Sequence, residues 1–168
     1  CIATILPHQP TIQSVQLLQL PGSPPSDLAV LLAVLNSVVV EVLLRLKLNG
    51  IDLTSKVVRQ LPVPSAERWE ETVRFAGSVA TREAHVARRV GSLLADDSRM
   101  TPFAAALGVT VSAPQGDRKR IQDELDLLVA SAYSLDAQGL AHMCRIVPPA
   151  RTPAQLSWLS QSSQWPEV

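Results

Sequence analysis

A chain of 168 residues with 46% hydrophobic side chains is long enough for one domain and apolar enough to bury a core, which excludes global disorder. Fifteen basic and fifteen acidic residues cancel, so no overall positive field draws the chain to nucleic acid and any such contact must be local. Aromatic residues make up only 4%, which leaves Leu, Val and Ala to fill the core.

The chain opens on Cys-Ile-Ala-Thr-Ile-Leu-Pro, without the basic start of a signal peptide and without Met, and reads as cut from something longer. Two short apolar stretches, Ile2–Leu6 and Val15–Leu20, are punctuated by Pro7, Pro10, Pro21, Gly22, Pro24 and Pro25. Proline blocks continuous helix, so short strands are predicted near the N-terminus. Ser26 or Asp27 is the expected N-cap of a long helix, Leu28–Leu48. Its polar exceptions Ser37, Glu41 and Arg45 recur every fourth residue and form one stripe, as on a helix packed on most sides. A charge at mid-span costs about 2.5–3.5 kcal/mol on membrane-insertion scales, so this segment reads as a buried central helix and not as a membrane span. Asn49-Gly50 is the expected stop. Ile51–Leu61 then reads as extended, closed by Pro62-Val63-Pro64.

Ser65 is the expected cap of a second long helix. Trp69, Val73, Ala76, Ala80, Ala84, Ala87, Val90 and Leu94 recur at intervals of three or four along it. Charges such as Glu70 with Arg74 fall off this stripe, and Gly77 and Gly91 mark bends. Residues 96–116 are turn-rich, with a short helix Thr101–Leu107 stopped by Gly108. A third helix, over Arg118–Tyr133, buries Ile121, Leu125, Leu128 and Ala132. Asp136 caps a last short helix reaching Met143, and Pro148-Pro149 ends it. The expected architecture is mainly α with a small β component. It divides into residues 1–64, a helical region 65–149, and a loosely held tail 150–168.

The catalytic vocabulary is missing. His8, His85 and His142 are far apart, with no metal-ligand spacing, and His85 and His142 read as helix-surface residues. There is no GxSxG elbow, no GxGxxG and no P-loop. Asp96-Asp97 and Glu70-Glu71 are adjacent pairs that read as solvated charges. Cys1 and Cys144 make neither a disulfide framework nor a zinc site, which points to a reducing, cytoplasmic setting. Local charge is more informative. Arg45, Lys47, Lys56 and Arg59 stand against Asp52 alone, a local charge of +3, and Asn36, Asn49 and Gln60 add amides able to meet bases or phosphates. On charge alone, an ordinary polar turn after a buried helix explains this stretch as well.

Asn36-Ser37, Leu44-Arg45-Leu46-Lys47, Gly50, Leu53-Thr54 and Leu61-Pro62-Val63-Pro64 follow one another in a recognisable order. So do Glu124-Leu125-Asp126, Val129-Ala130, Tyr133, Leu135 and Pro148. This double pattern resembles the C-terminal region of large bacterial DNA adenine-N6 methyltransferases of type IIG restriction–modification and related phage-defence systems. There, an "NS…LRxKxxGxxLT…LPVP" stretch lies in or beside the target-recognition region, and an "ELDALVA-x-LYGL" helix closes the chain. The match spans about residues 28–148. Ser134 departs from it where Gly is usual, and Gly139 where Glu is usual. The family's NPPY-type and glycine-rich cofactor motifs are absent here. The resemblance therefore implies that a catalytic domain in the same or another chain holds S-adenosylmethionine and the flipped adenine. This chain would grip duplex DNA, with Arg45, Lys47, Lys56 and Arg59 on phosphates and Asn49 and Gln60 near base edges. The alternative expectation is a helical docking module that binds a partner protein and no DNA.

Overall fold

The computed structural model describes residues 3–5, 20–48, 54–150 and 165–168. It is mainly helical with one small antiparallel sheet, as the sequence indicates. Helices α1 (Pro25–Asn36) and α2 (Val38–Lys47) lead into the short α3 (Ser55–Val58) and α4 (Ala66–Glu70). A hairpin of β1 (Thr72–Phe75) and β2 (Ser78–Thr81) precedes α5 (Arg82–Leu94). Then come α6 (Thr101–Ala106), α7 (Gln115–Ala132) and α8 (Ala137–Ile146).

The long apolar helix expected over Leu28–Leu48 is two helices, bent by 57° at Ser37. It begins at Pro25 with Pro24 as N-cap, so neither Ser26 nor Asp27 plays that part. Ser37 adopts an extended backbone (φ −72°, ψ 153°). Its Oγ donates to the Val34 carbonyl at 2.7 Å and accepts from the Val40 N–H at 3.2 Å, closing one helix and capping the next. Serine at a fourth-residue spacing looks like part of a polar stripe. Here it is a cap.

The second long helix is also interrupted. The hairpin occupies residues 72–81, and its two-residue turn places Ala76 (φ 49°) and Gly77 (φ 78°) in the left-handed region. Such a turn matches the twist of paired strands. Glu70 and Arg74 are therefore not helical neighbours. Strand alternation buries Val73 and Phe75, whereas the helical stripe collects Val73 and misses Phe75. The described strands thus lie at mid-chain. Of the N-terminal segments expected as strands, residues 6–19 lie outside the described residues, and residues 3–5 form no strand. Within Ile51–Leu61, expected as extended, residues 55–58 are helical and residues 51–53 lie outside the described set.

The later elements follow the sequence closely. Helix α6 stops before Gly108 (φ 74°), α7 buries Ile121, Leu125, Leu128 and Ala132, and Asp136 Oδ1 caps α8 through the Gly139 N–H at 2.7 Å. Helix α1 lies on α5 and α7, α2 on α7 and α8, and α5 joins α1, α6 and α7. One hydrophobic cluster runs from Ala29 through Val38, Trp69, Val86 and Leu128 to Cys144. No single described helix is long and apolar enough to cross a membrane; α1 and α2 pass that test only as a bent pair, and most of their apolar residues are buried inside this chain.

Candidate nucleic-acid interface

The two motif-bearing stretches meet in space. Breaking the helix at Ser37 leaves the Val38 N–H, in the first turn of α2, without a helical acceptor. Asp126 of α7, 2% exposed, supplies one: its Oδ1 lies 2.9 Å from that nitrogen. A carboxylate at a helix N-terminus is also favoured by the helix dipole. Asn36 serves the same junction. Its Oδ1 accepts from the Ala3 N–H and its Nδ2 donates to the Ala3 carbonyl, both at 2.9 Å. Its amide is thus engaged with the backbone and not turned toward a nucleic acid.

A second contact joins the far ends of the motifs. The Tyr133 hydroxyl, at the end of α7, donates to the Pro62 carbonyl at 2.6 Å, and Trp69 Nε1 donates to the Pro64 carbonyl at 3.3 Å. Burial pushes the Tyr133 hydroxyl up to about 12, so it stays a donor at any ordinary pH. Proline has no N–H but keeps its carbonyl, and both proline carbonyls of Leu61–Pro64 are used as acceptors. Ser134 sits at φ 60° just past α7, and the Leu135 N–H returns to the Ala130 carbonyl at 3.1 Å. That closing turn favours glycine at the left-handed position.

The basic residues flank this frame. Arg45 is ion-paired to Glu41, one helical turn back, at 2.9 Å, with its side chain 47% exposed. Lys47 lies two positions on, roughly 200° around the helix, so the two do not share a face. Lys56 on α3 and Arg59 and Gln60 in the turn after it are exposed. Lys47, Lys56 and Arg59 have no ion-pair partner among the described residues; the same holds for Arg74, Arg88 and Arg145. Asn49 lies outside the described residues.

Elsewhere the structure places charge where the sequence does not suggest it. Arg82, 1% exposed, donates from Nε to Ser131 Oγ at 3.1 Å and from Nη1 to Glu71 Oε2 at 3.0 Å and to the Arg68 carbonyl. Glu71 is thus half of a partly buried contact and not a freely solvated charge; the Arg82 and Arg68 guanidiniums hold its carboxyl below the usual range. His85 is fully buried, not on the surface. Its Nε2 lies 3.3 Å from the Val73 carbonyl, and its ring meets Phe75 edge-on at 5.8 Å. Arg89 stacks over Phe75, 4.7 Å from the ring centroid, and pairs with Glu124 at 2.7 Å. Only the hairpin brings Val73 and Phe75 onto His85. A helical reading of 65–94 hides this cluster, and the one available signal was Gly77 followed by β-compatible Ser78–Thr81.

Among the described residues, neither Cys144 nor His142 is set up as a nucleophile or base. Burial and the nearby acids Asp126 and Glu41 raise the Cys144 thiol, so it is a poor thiolate source. His142 is exposed on α8, and no cluster of three metal-ligating side chains occurs among the described residues. The comparisons with known proteins find no matching family model, curated protein or solved structure.

Proposed function

We propose that this chain is the target-recognition and helical C-terminal segment of a site-specific adenine-N6 DNA methyltransferase, of the restriction–modification or phage-defence kind, and that it contributes DNA grip without catalysis. The observation that carries the reading is the meeting of the two family-like stretches. Asp126 caps the helix that begins after Asn36-Ser37, and Tyr133 holds the Leu61–Pro64 segment. Residues distant in sequence and required together by the resemblance are joined by hydrogen bonds of the same frame. The left-handed Ser134, standing where the family pattern carries Gly, adds support.

The frame carries Lys47, Lys56 and Arg59 exposed and without an acidic partner among the described residues, the state in which a cation is available to a phosphate. Gln60 is exposed beside them in the chain. Arg45, already paired with Glu41, contributes less. In this reading S-adenosylmethionine is held elsewhere, and two features of the chain support that. The buried polar side chains Arg82, His85, Asp126 and Ser131 are all bonded to protein partners, and the glycine-rich cofactor motif is missing. The cofactor, the flipped adenine and the methyl transfer belong to a catalytic domain in the same or another polypeptide. The docking-module reading rests on an apolar helix with nothing to cover it. Helices α5 and α7 cover α1, and α7 and α8 cover α2, so most of their apolar residues are buried within this chain, which weakens that motive.

Fluorescence anisotropy with a labelled duplex across a salt series tests the proposal. Each phosphate contact adds about 0.9 to the slope of log K against log salt, so reversing Lys47, Lys56 and Arg59 to Glu should weaken binding and cut the slope by about 2–3. Superimposable curves for the wild type and the triple variant would remove these residues from any DNA contact.

A further inference from the structure

His85 of α5 is fully buried, and its two ring nitrogens face groups of opposite kind. Nε2 lies 3.3 Å from the Val73 carbonyl, which can only accept, so Nε2 carries the proton of the neutral ring. Nδ1 is then a bare lone pair. Arg89 Nη1, which can only donate, lies 3.4 Å from it. Both nitrogens are matched in this tautomer and in no other protonation state. A second proton has to sit on Nδ1, where donor meets donor and cation meets cation. The Arg89 guanidinium that must then give way ties α5 to its neighbours. It lies 4.7 Å from the centroid of the Phe75 ring of β1 and pairs with Glu124 of α7 at 2.7 Å. The other charged groups around the ring do not relieve the conflict. Arg88 on the same helix adds positive charge, and Glu124, the acid that favours a charged ring, already accepts from Arg89 and Arg120. Arg82 is bonded to Ser131 and Glu71, and Asp126 is turned to the Val38 N–H. Arg74 is on the opposite face of β1, and α1 offers only Asp27, in its first turn. Helix α4 carries Glu67, Arg68 and Glu70, with Arg68 bonded to Glu71 and Ser134, while α6 and β2 carry no charged side chain. Burial first, then Arg89 and Arg88, lower the ring below the ordinary histidine value.

We propose that His85 and Arg89 form an acid-opened latch, in which a second proton on Nδ1 drives the Arg89 guanidinium off the Phe75 ring and loosens the hairpin while the helical core stays packed. The Nε2–H bond to the Val73 carbonyl survives protonation, so the hairpin opens from its Phe75 end. The seam of α7 with α1 and α2 contains neither Arg89 nor Phe75 and has no part in the change. The opening is local, a step distinct from loss of overall stability in acid. It stands on these contacts alone, independent of any role in DNA binding.

The test is an NMR titration of the full chain from neutral pH into acid, following the His85 ring nitrogens, the Phe75 ring and amide hydrogen exchange together. At neutral pH the ring should be the Nε2–H tautomer. As it takes its second proton, the Phe75 ring should shift with the same midpoint. The amides of Phe75 and Ser78, the pair that closes the turn, should lose about tenfold or more in protection, corrected for intrinsic exchange, while Leu128 keeps its own. His85→Gln offers a donor to Val73 and an acceptor to Arg89 at every pH, and should keep the hairpin shut throughout. Arg89→Met removes the cation but still covers Phe75, so the ring should titrate at higher pH and without moving the hairpin. An Nδ1–H ring at neutral pH, or a hairpin silent through the His85 titration, would overturn the latch. So would the same acid step in His85→Gln, or hairpin and Leu128 protection lost together at one pH.

Discussion

Two seams join α7 to the rest of the molecule, and they are built from different chemistry. Against α1 and α2 the seam is apolar, with valine, leucine and alanine side chains and one buried carboxylate, Asp126, placed where a broken helix leaves a donor. Against the hairpin and α5 it is charged: Arg82 on Ser131, and Arg89 on Glu124 beside the buried His85. The apolar seam tolerates a polar group because that group meets a backbone need. The charged seam works only while every member keeps its partner, since a buried charge left alone is costly. The second also holds the buried imidazole of His85, so its stability should depend on pH.

The largest effect should come from the charged seam. Arg82→Ala empties a fully buried position and strands Ser131 and the Arg68 carbonyl, so it should cost about 3–5 kcal/mol in urea unfolding. A loss under about 1 kcal/mol would show that Arg82 is a bystander. Next is the apolar seam, where Asp126→Ala deprives the Val38 N–H of a charged acceptor and should cost about 1.5–3 kcal/mol. Asp126→Asn keeps an acceptor oxygen and should recover most of that. If alanine and asparagine were equally damaging, the cap would not be the reason for Asp126.

The smallest effect concerns His85. Burial lowers its pKa below the ordinary histidine value, so the unfolded chain takes up a proton that the folded chain refuses. Stability is therefore full above the unfolded histidine range and falls as pH drops through and below it. Urea midpoints at pH 7.5 and 5.5 should differ in the wild type and differ less in His85→Gln. Equal pH dependence in the two proteins would clear His85 of the effect.

Much of the helical half was legible because its apolar residues recur at helical spacing. Ile121, Leu125, Leu128 and Ala132 are spaced for α7, and Asp136 and Gly108 sit where caps and stops belong. The breaks were not legible, for reasons particular to each. Ser37 reads on paper as one member of a polar stripe, and its role at the break appears only with its bonds to Val34 and Val40 and the Asp126 carboxylate on the Val38 N–H. The hairpin hid because its buried residues Val73 and Phe75 sit among alanines spaced for a helix, and its turn is Ala76-Gly77, not the Asn-Gly or Asp-Gly pair that marks such turns. The basic residues were legible as a cluster in sequence. Their availability was not, because the Arg45–Glu41 ion pair, and the lack of an ion-pair partner for Lys47, Lys56 and Arg59 among the described residues, are facts of placement.

The most direct test of the DNA-grip account is an NMR titration of the intact chain with a short mixed-sequence duplex at low salt. We expect shifts concentrated in the amides of Arg45–Lys47 and Lys56–Gln60, with α7 core amides such as Leu128 unmoved. Shifts confined to other surfaces, or none at all up to saturating duplex, would contradict it.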